Sequence, residues 1–135
     1  MIYHTTDSTI AYEPGSSYGT FRDLSSAVLR AVRTVEERVD EFDIIAVQGA
    51  SGMSIGFPLA LAIGKDIVVV RKPGEDNHCH NEPITGSDVR GRRVLFVDDF
   101  VSGGTTRSRV RGAVERAGGR VVAEYTSRED SMLLS

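Results

Sequence analysis

Two adjacent carboxylates, Asp98 and Asp99, follow the apolar run Val94 to Val97 and precede Ser102-Gly103-Gly104-Thr105-Thr106. Carboxylate oxygens accept hydrogen bonds from vicinal hydroxyls, directly or through a hard, oxygen-seeking cation. Backbone N–H groups at a glycine-rich helix start surround a phosphate, and the helix dipole favours its charge. The hydroxyls of Ser102, Thr105 and Thr106 add further donors. One stretch, 94–106, can therefore hold a diol at one end and a phosphate at the other. That is the shape of a ribose 5-phosphate.

Two more segments suit anions. Gln48-Gly49-Ala50-Ser51-Gly52 is a glycine-punctuated turn whose backbone amides can approach a ligand closely. Arg71-Lys72 places two cations just after an apolar run, where they can neutralise charge growing on a leaving group. The glycine turn by itself also fits a short-chain dehydrogenase. That chemistry needs a Tyr-x-x-x-Lys pair, and the only lysines, Lys65 and Lys72, have no tyrosine four residues before them. His78, Cys79 and His80 are too close together to converge on one metal, and no further ligand cluster accompanies them. No Ser/His/Asp or Cys/His arrangement for covalent catalysis stands out.

The elements that must position these residues follow from periodicity. Thr20 is an N-cap candidate with Asp23 three residues on. Apolar residues at three- and four-residue spacing from Phe21 to Val39 predict an amphipathic helix over 21–41. The runs 43–48, 66–71, 93–98 and 120–125 are short and rich in β-branched residues, as buried strands are. Between them, helices are expected over 54–63, with Pro58 near the first turn and Gly64 as the stop, and over 105–117, ending at Gly118-Gly119. Residues 73–92 lack periodicity and are expected to form a flexible loop. The tail from Thr126 is too short to assign. Alternation of strand and helix with apolar strands predicts one α/β domain over 1–135, a parallel sheet flanked by helices. Ligands of such sheets bind outside the carboxyl ends of the strands, where both glycine turns would lie.

Composition agrees with a single small core: 135 residues, 40% apolar and 26% charged. No apolar run is long enough for a membrane span. The opening segment MIYHTTDSTI has neither a basic stretch nor a long apolar one, so no secretory signal is expected. Cys79 is the only cysteine, in keeping with a reducing compartment. The net charge of −3 argues against bulk nucleic-acid binding. Its distribution is uneven: 71–120 holds ten basic and seven acidic residues, and the rest holds six and twelve. A locally basic half in an acidic chain suits a small anion.

The segment VLFVDDFVSGGTT resembles the 5-phosphoribosyl-1-diphosphate (PRPP) motif of type I phosphoribosyltransferases. In the same order, Gln48 to Gly52 resembles that family's diphosphate loop, and Arg71-Lys72-Pro73-Gly74 its basic segment. Together the three matches span 43–106, about half the chain. Within them, SGGTT is ordered more like the orotate-type loop than the adenine-type one. Phe100 is bulkier than the usual aliphatic residue, and Ser102 stands where hypoxanthine-type enzymes carry an acid.

The resemblance implies a Rossmann-like phosphoribosyltransferase core with a reduced hood and a mobile lid over 73–92. It also implies a cytoplasmic, dimeric enzyme that transfers 5-phosphoribosyl from PRPP to a nitrogenous base with Mg²⁺. By the same likeness Asp98 and Asp99 contact the ribose hydroxyls and, indirectly, the metal. Arg71 and Lys72 would act on the diphosphate, and 102–106 on the 5-phosphate. The hood would come from 1–20, where Tyr3, His4, Tyr12 and Tyr18 would stack on a base or close the core edge, with Tyr125 or Arg128 opposite. The alternative is a regulatory protein that binds PRPP or a nucleotide and has lost transfer activity.

Overall fold

The computed structural model describes residues 21–72, 83–99 and 104–135. Helix α1, Phe21–Glu36, packs Leu24, Val28 and Val32 of the predicted stripe partly against the core and buries Val35, while Ala27 and Ala31, outside that stripe, are fully buried. It ends earlier than periodicity suggests, because Val39–Glu41 forms a single 3-10 turn that swings Phe42 into the core. Arg38 fastens that turn, donating to both carboxylate oxygens of Glu41. The proposed cap at Thr20 lies outside the described residues.

Strand β1, Ile44–Val47, is buried at every position. Helix α2, Gly49–Ile63, follows it after the single residue Gln48. The turn expected over 49–52 is therefore the first turn of the helix, and Pro58 sits in its interior. Its missing N–H removes one rung of the helical ladder, yet the helix continues to Gly64, whose N–H donates to the Ala60 carbonyl. Gly56 lets α2 lie against β1, since a Cβ there would fall 2.3 Å from Val47 Cγ1.

Strand β2, Asp66–Val70, pairs with β1 in parallel. Residues 84–86, expected in the long loop, instead form β3, Ile84–Gly86, antiparallel to β2. Strand β4, Arg93–Asp98, lies on the other side of β1. Helix α3, Thr105–Arg116, leads to β5, Arg120–Thr126, parallel to β4. The tail turns back as β6, Ser131–Leu134, antiparallel to β5.

The sheet order is β3-β2-β1-β4-β5-β6. A four-stranded parallel centre thus carries one antiparallel strand on each edge, and the edges cover backbone that a bare parallel sheet would leave unpaired. Residues of α1 and α2 pack with Ile45, Val47, Leu95 and Val97 on one face. On the other, Val110, Ala113 and Val114 of α3 pack with Ile44, Ala46, Val94 and Phe96. Crossovers to opposite faces make the junction of β1 and β4 the point where strand order reverses.

Candidate functional site

At that junction Gln48 immediately follows β1 and stands at the N-cap of α2, and β4 ends on Asp98. In register, Ile44 lies beside Val94 and Ala46 beside Phe96, so alternation carries Gln48 and Asp98 side by side onto the α3 face. Asp98 and Asp99 occupy the last position of β4 and the one after it. Asp99 is 3% exposed, and its N–H donates to Asp98 Oδ1 at 2.8 Å. The hairpin beyond β5 braces the pair from behind. Ser127 N–H donates to the Asp98 carbonyl at 2.9 Å and Arg128 N–H to that of Asp99 at 2.6 Å.

Burial pushes the Asp98 carboxyl up to about 6, and the side chains of Asp99 and Glu124 add to the rise, while the N–H of Asp99 opposes it. Asp98 and Asp99 at the end of β4 hold charge that hydroxyl donors or a cation would relieve, whereas Glu124, beside Phe96 on β5, is already paired with Arg107. The two aspartates are oxygen ligands, the donor type that Mg²⁺ takes, and Mg²⁺ characteristically binds through one or two carboxylates plus substrate phosphates. Among the described residues there is no group of three or more His, Cys, Asp or Glu side chains that could hold a metal ion. Asp98 and Asp99 supply two adjacent carboxylates of the type such a cation takes.

Two helix starts frame the acids. Gly49, with φ of +80°, turns the chain from β1 directly into α2. Gly52 brings the first turn of α2 against β4, and a Cβ there would lie 3.3 Å from the Val97 carbonyl oxygen. Ala50 is exposed and Ser51 half-buried beside it. Gly104, with φ of +104°, opens α3 in a backbone conformation that side chains resist, with Thr105 exposed and Thr106 half-buried. The first N–H groups of both helices thus point past the strand ends. Ser102 and Gly103 lie outside the described residues, as do His78, Cys79, His80 and the expected hood over 1–20.

Arg71 follows β2, where its N–H donates to the Pro83 carbonyl at 2.8 Å and its Nη1 donates to Thr85 Oγ1 on β3. Its Nη2 is buried without a hydrogen-bond partner among the described residues. Lys72 is exposed next to it. Tyr125 corrects an expectation. It is fully buried and donates to Asp130 Oδ1 at 2.7 Å, so it belongs to the core and does not face a base. Arg128 is exposed.

Sequence reasoning missed two arginines of α3. Arg107 and Arg109 stand two residues apart, so their side chains diverge. Arg107 Nε lies 2.8 Å from Glu124 Oε2 on β5, and Arg109 Nη1 donates to Gln48 Oε1 at 3.1 Å beyond β1. The helix is clamped to strands on both sides of the acid-bearing one. An i, i+2 pair of arginines carries no periodic signal, and only the tertiary fold shows its purpose.

A doubly wound sheet with an acid pair and two glycine-headed helices at its switch point defines an α/β protein whose strand ends gather groups suited to hydroxyls and phosphates. Known proteins agree. No family profile matches the chain. It is 30% identical to an adenine phosphoribosyltransferase from a Thermotoga species over 129 aligned positions, covering 76% of this chain and 73% of that one. Among solved structures, adenine phosphoribosyltransferase from Thermoanaerobacter pseudethanolicus superposes with a TM-score of 0.62 at 27% identity, covering 78% of this chain and 67% of the other. Orotate phosphoribosyltransferase from Mycobacterium tuberculosis, in complex with PRPP, gives 0.63 at 26% identity, covering 82% and 67%. The chain belongs to the type I phosphoribosyltransferase family.

Proposed function

We propose that this chain transfers a 5-phosphoribosyl group from PRPP to a nitrogenous base and releases diphosphate. The observation that carries the reading is the acid pair, Asp98 and Asp99, held at the end of β4 between the helix starts at Gly49 and Gly104. The acids would accept hydrogen bonds from the two ribose hydroxyls. The start of α3 would hold the 5-phosphate, and the start of α2 with Arg71 and Lys72 the diphosphate.

In the reaction the bond between the anomeric carbon and the diphosphate oxygen breaks, and its electron pair leaves with the diphosphate. A base nitrogen forms the new bond to that carbon, and its proton passes to the departing diphosphate or to water. Positive charge builds on the ribose beside the two carboxylates, and negative charge builds toward Arg71, whose Nη2 is buried and ready to donate. Mg²⁺ bound with PRPP would supply further neutralisation of the diphosphate, held through Asp98 and Asp99. Most of the acceleration would come from positioning, since no covalent nucleophile is required.

PRPP-dependent release of diphosphate, measured over a panel of purine and pyrimidine bases, tests the proposal. Turnover with at least one base is expected. PRPP binding without turnover on any base would contradict transfer and leave a PRPP-binding regulatory protein.

A further inference from the structure

Gln48 is 5% exposed at the end of β1, yet only half of its carboxamide is satisfied. Oε1 accepts from Arg109 Nη1 at 3.1 Å, and Nε2 is buried with no hydrogen-bond partner among the described residues. An arginine side chain has donors and no acceptor, so only the oxygen of the amide can face it. Arg109 therefore settles which way the carboxamide lies and directs the NH2 group away from α3. A buried donor without an acceptor is costly, and such a group in a native fold calls for a reason.

The neighbourhood supplies one. Register places Gln48 beside Asp98 on the α3 face, and Gln48 immediately precedes Gly49, where α2 begins. A donor and an acceptor thus stand together at the switch point. The acceptor suits a hydroxyl and the donor suits an anionic oxygen. We infer that Arg109 is a positioning residue for phosphoribosyl transfer, orienting the Gln48 carboxamide so that its NH2 donates to a phosphate-type oxygen of the substrate. This rests on the PRPP reading above.

A thermodynamic cycle tests it. PRPP affinity and the KM and kcat for transfer are measured for wild type, Gln48→Met, Arg109→Met and the double variant. Thermal melts establish that each is folded. Losing a hydrogen bond to a charged oxygen should weaken PRPP binding about tenfold in Gln48→Met, with KM rising more than kcat falls. Arg109→Met should weaken it severalfold, and Arg109→Lys should recover part of the loss. Because Arg109 acts through Gln48, the double variant should match Gln48→Met alone. Should Gln48→Met not fold, Gln48→Asn, whose shorter amide reaches neither partner, takes its place. Unchanged PRPP affinity in the folded Gln48 variant overturns the inference, as does an Arg109 effect that persists when Gln48 is gone. Failure of wild type to bind PRPP would refute the functional reading itself, a result distinct from either.

Discussion

At the residue scale the site is a conflict between stability and binding, concentrated on Asp98. Its carboxyl is pushed up to about 6, chiefly by burial, against an ordinary value of 3.8. Between those values the folded chain holds a proton that the unfolded chain has released, so this group lowers stability as pH rises from about 4 to about 6, with no further loss above. Asp98→Asn should remove that slope and stabilise the protein at pH 8 by about 1 kcal/mol, a full shift discounted because the carboxyl keeps part of its water. Thermal melts from pH 4 to 8 check it; a variant less stable than wild type at pH 8 would count against the account. Asp43 shows the opposite sign. Hydrogen bonds from Arg93 hold it down at about 2, so its contribution is present above about 4 and is lost progressively as pH falls from there through about 2. Asp98 and Asp99 were legible in sequence because two acids after an apolar strand have few structural uses. Arg109 was not, since its role depends on a partner 61 positions away.

At the element scale the four parallel strands were legible from their β-branched runs, and β4 matches its predicted span residue for residue. The two edge strands were not. Ile84-Thr85-Gly86 is too short to show alternation, and it is a strand only because β2 offers an unpaired edge. Met132, Leu133 and Leu134 in β6 likewise take their form from β5. The start of α2 was misplaced for a different reason. Pro58 suggested a first turn, whereas Gly49 and Gly52 serve inside the helix, one to turn the chain and one to admit β4. Close approach of α2 to β1 also rests on Gly56, which meets the stiff, branched Val47. Gly56→Ala should cost about 1–3 kcal/mol by forcing the helix off the strand, despite the better helix propensity of alanine. Chemical denaturation measures this, and a neutral or stabilising result would show that the helix can shift without penalty.

At the scale of the whole molecule, two apolar layers fix the sheet from opposite faces, and their crossovers create the switch point. Among the described residues, those proposed for chemistry lie at the carboxyl end of the parallel strands. The opposite end is tied by ordinary structural bonds, such as the ion pair of Asp43 and Arg93 between β1 and β4. The carboxyl end is proposed to hold PRPP through the acid pair. Calorimetric titration with PRPP, with and without Mg²⁺, on wild type and on Asp98→Asn/Asp99→Asn tests it most directly. Metal-assisted binding by wild type is expected, with at least about a hundredfold loss in the folded double variant, two charged hydrogen-bond acceptors having gone. Equal binding by both proteins, or none by folded wild type, would contradict it.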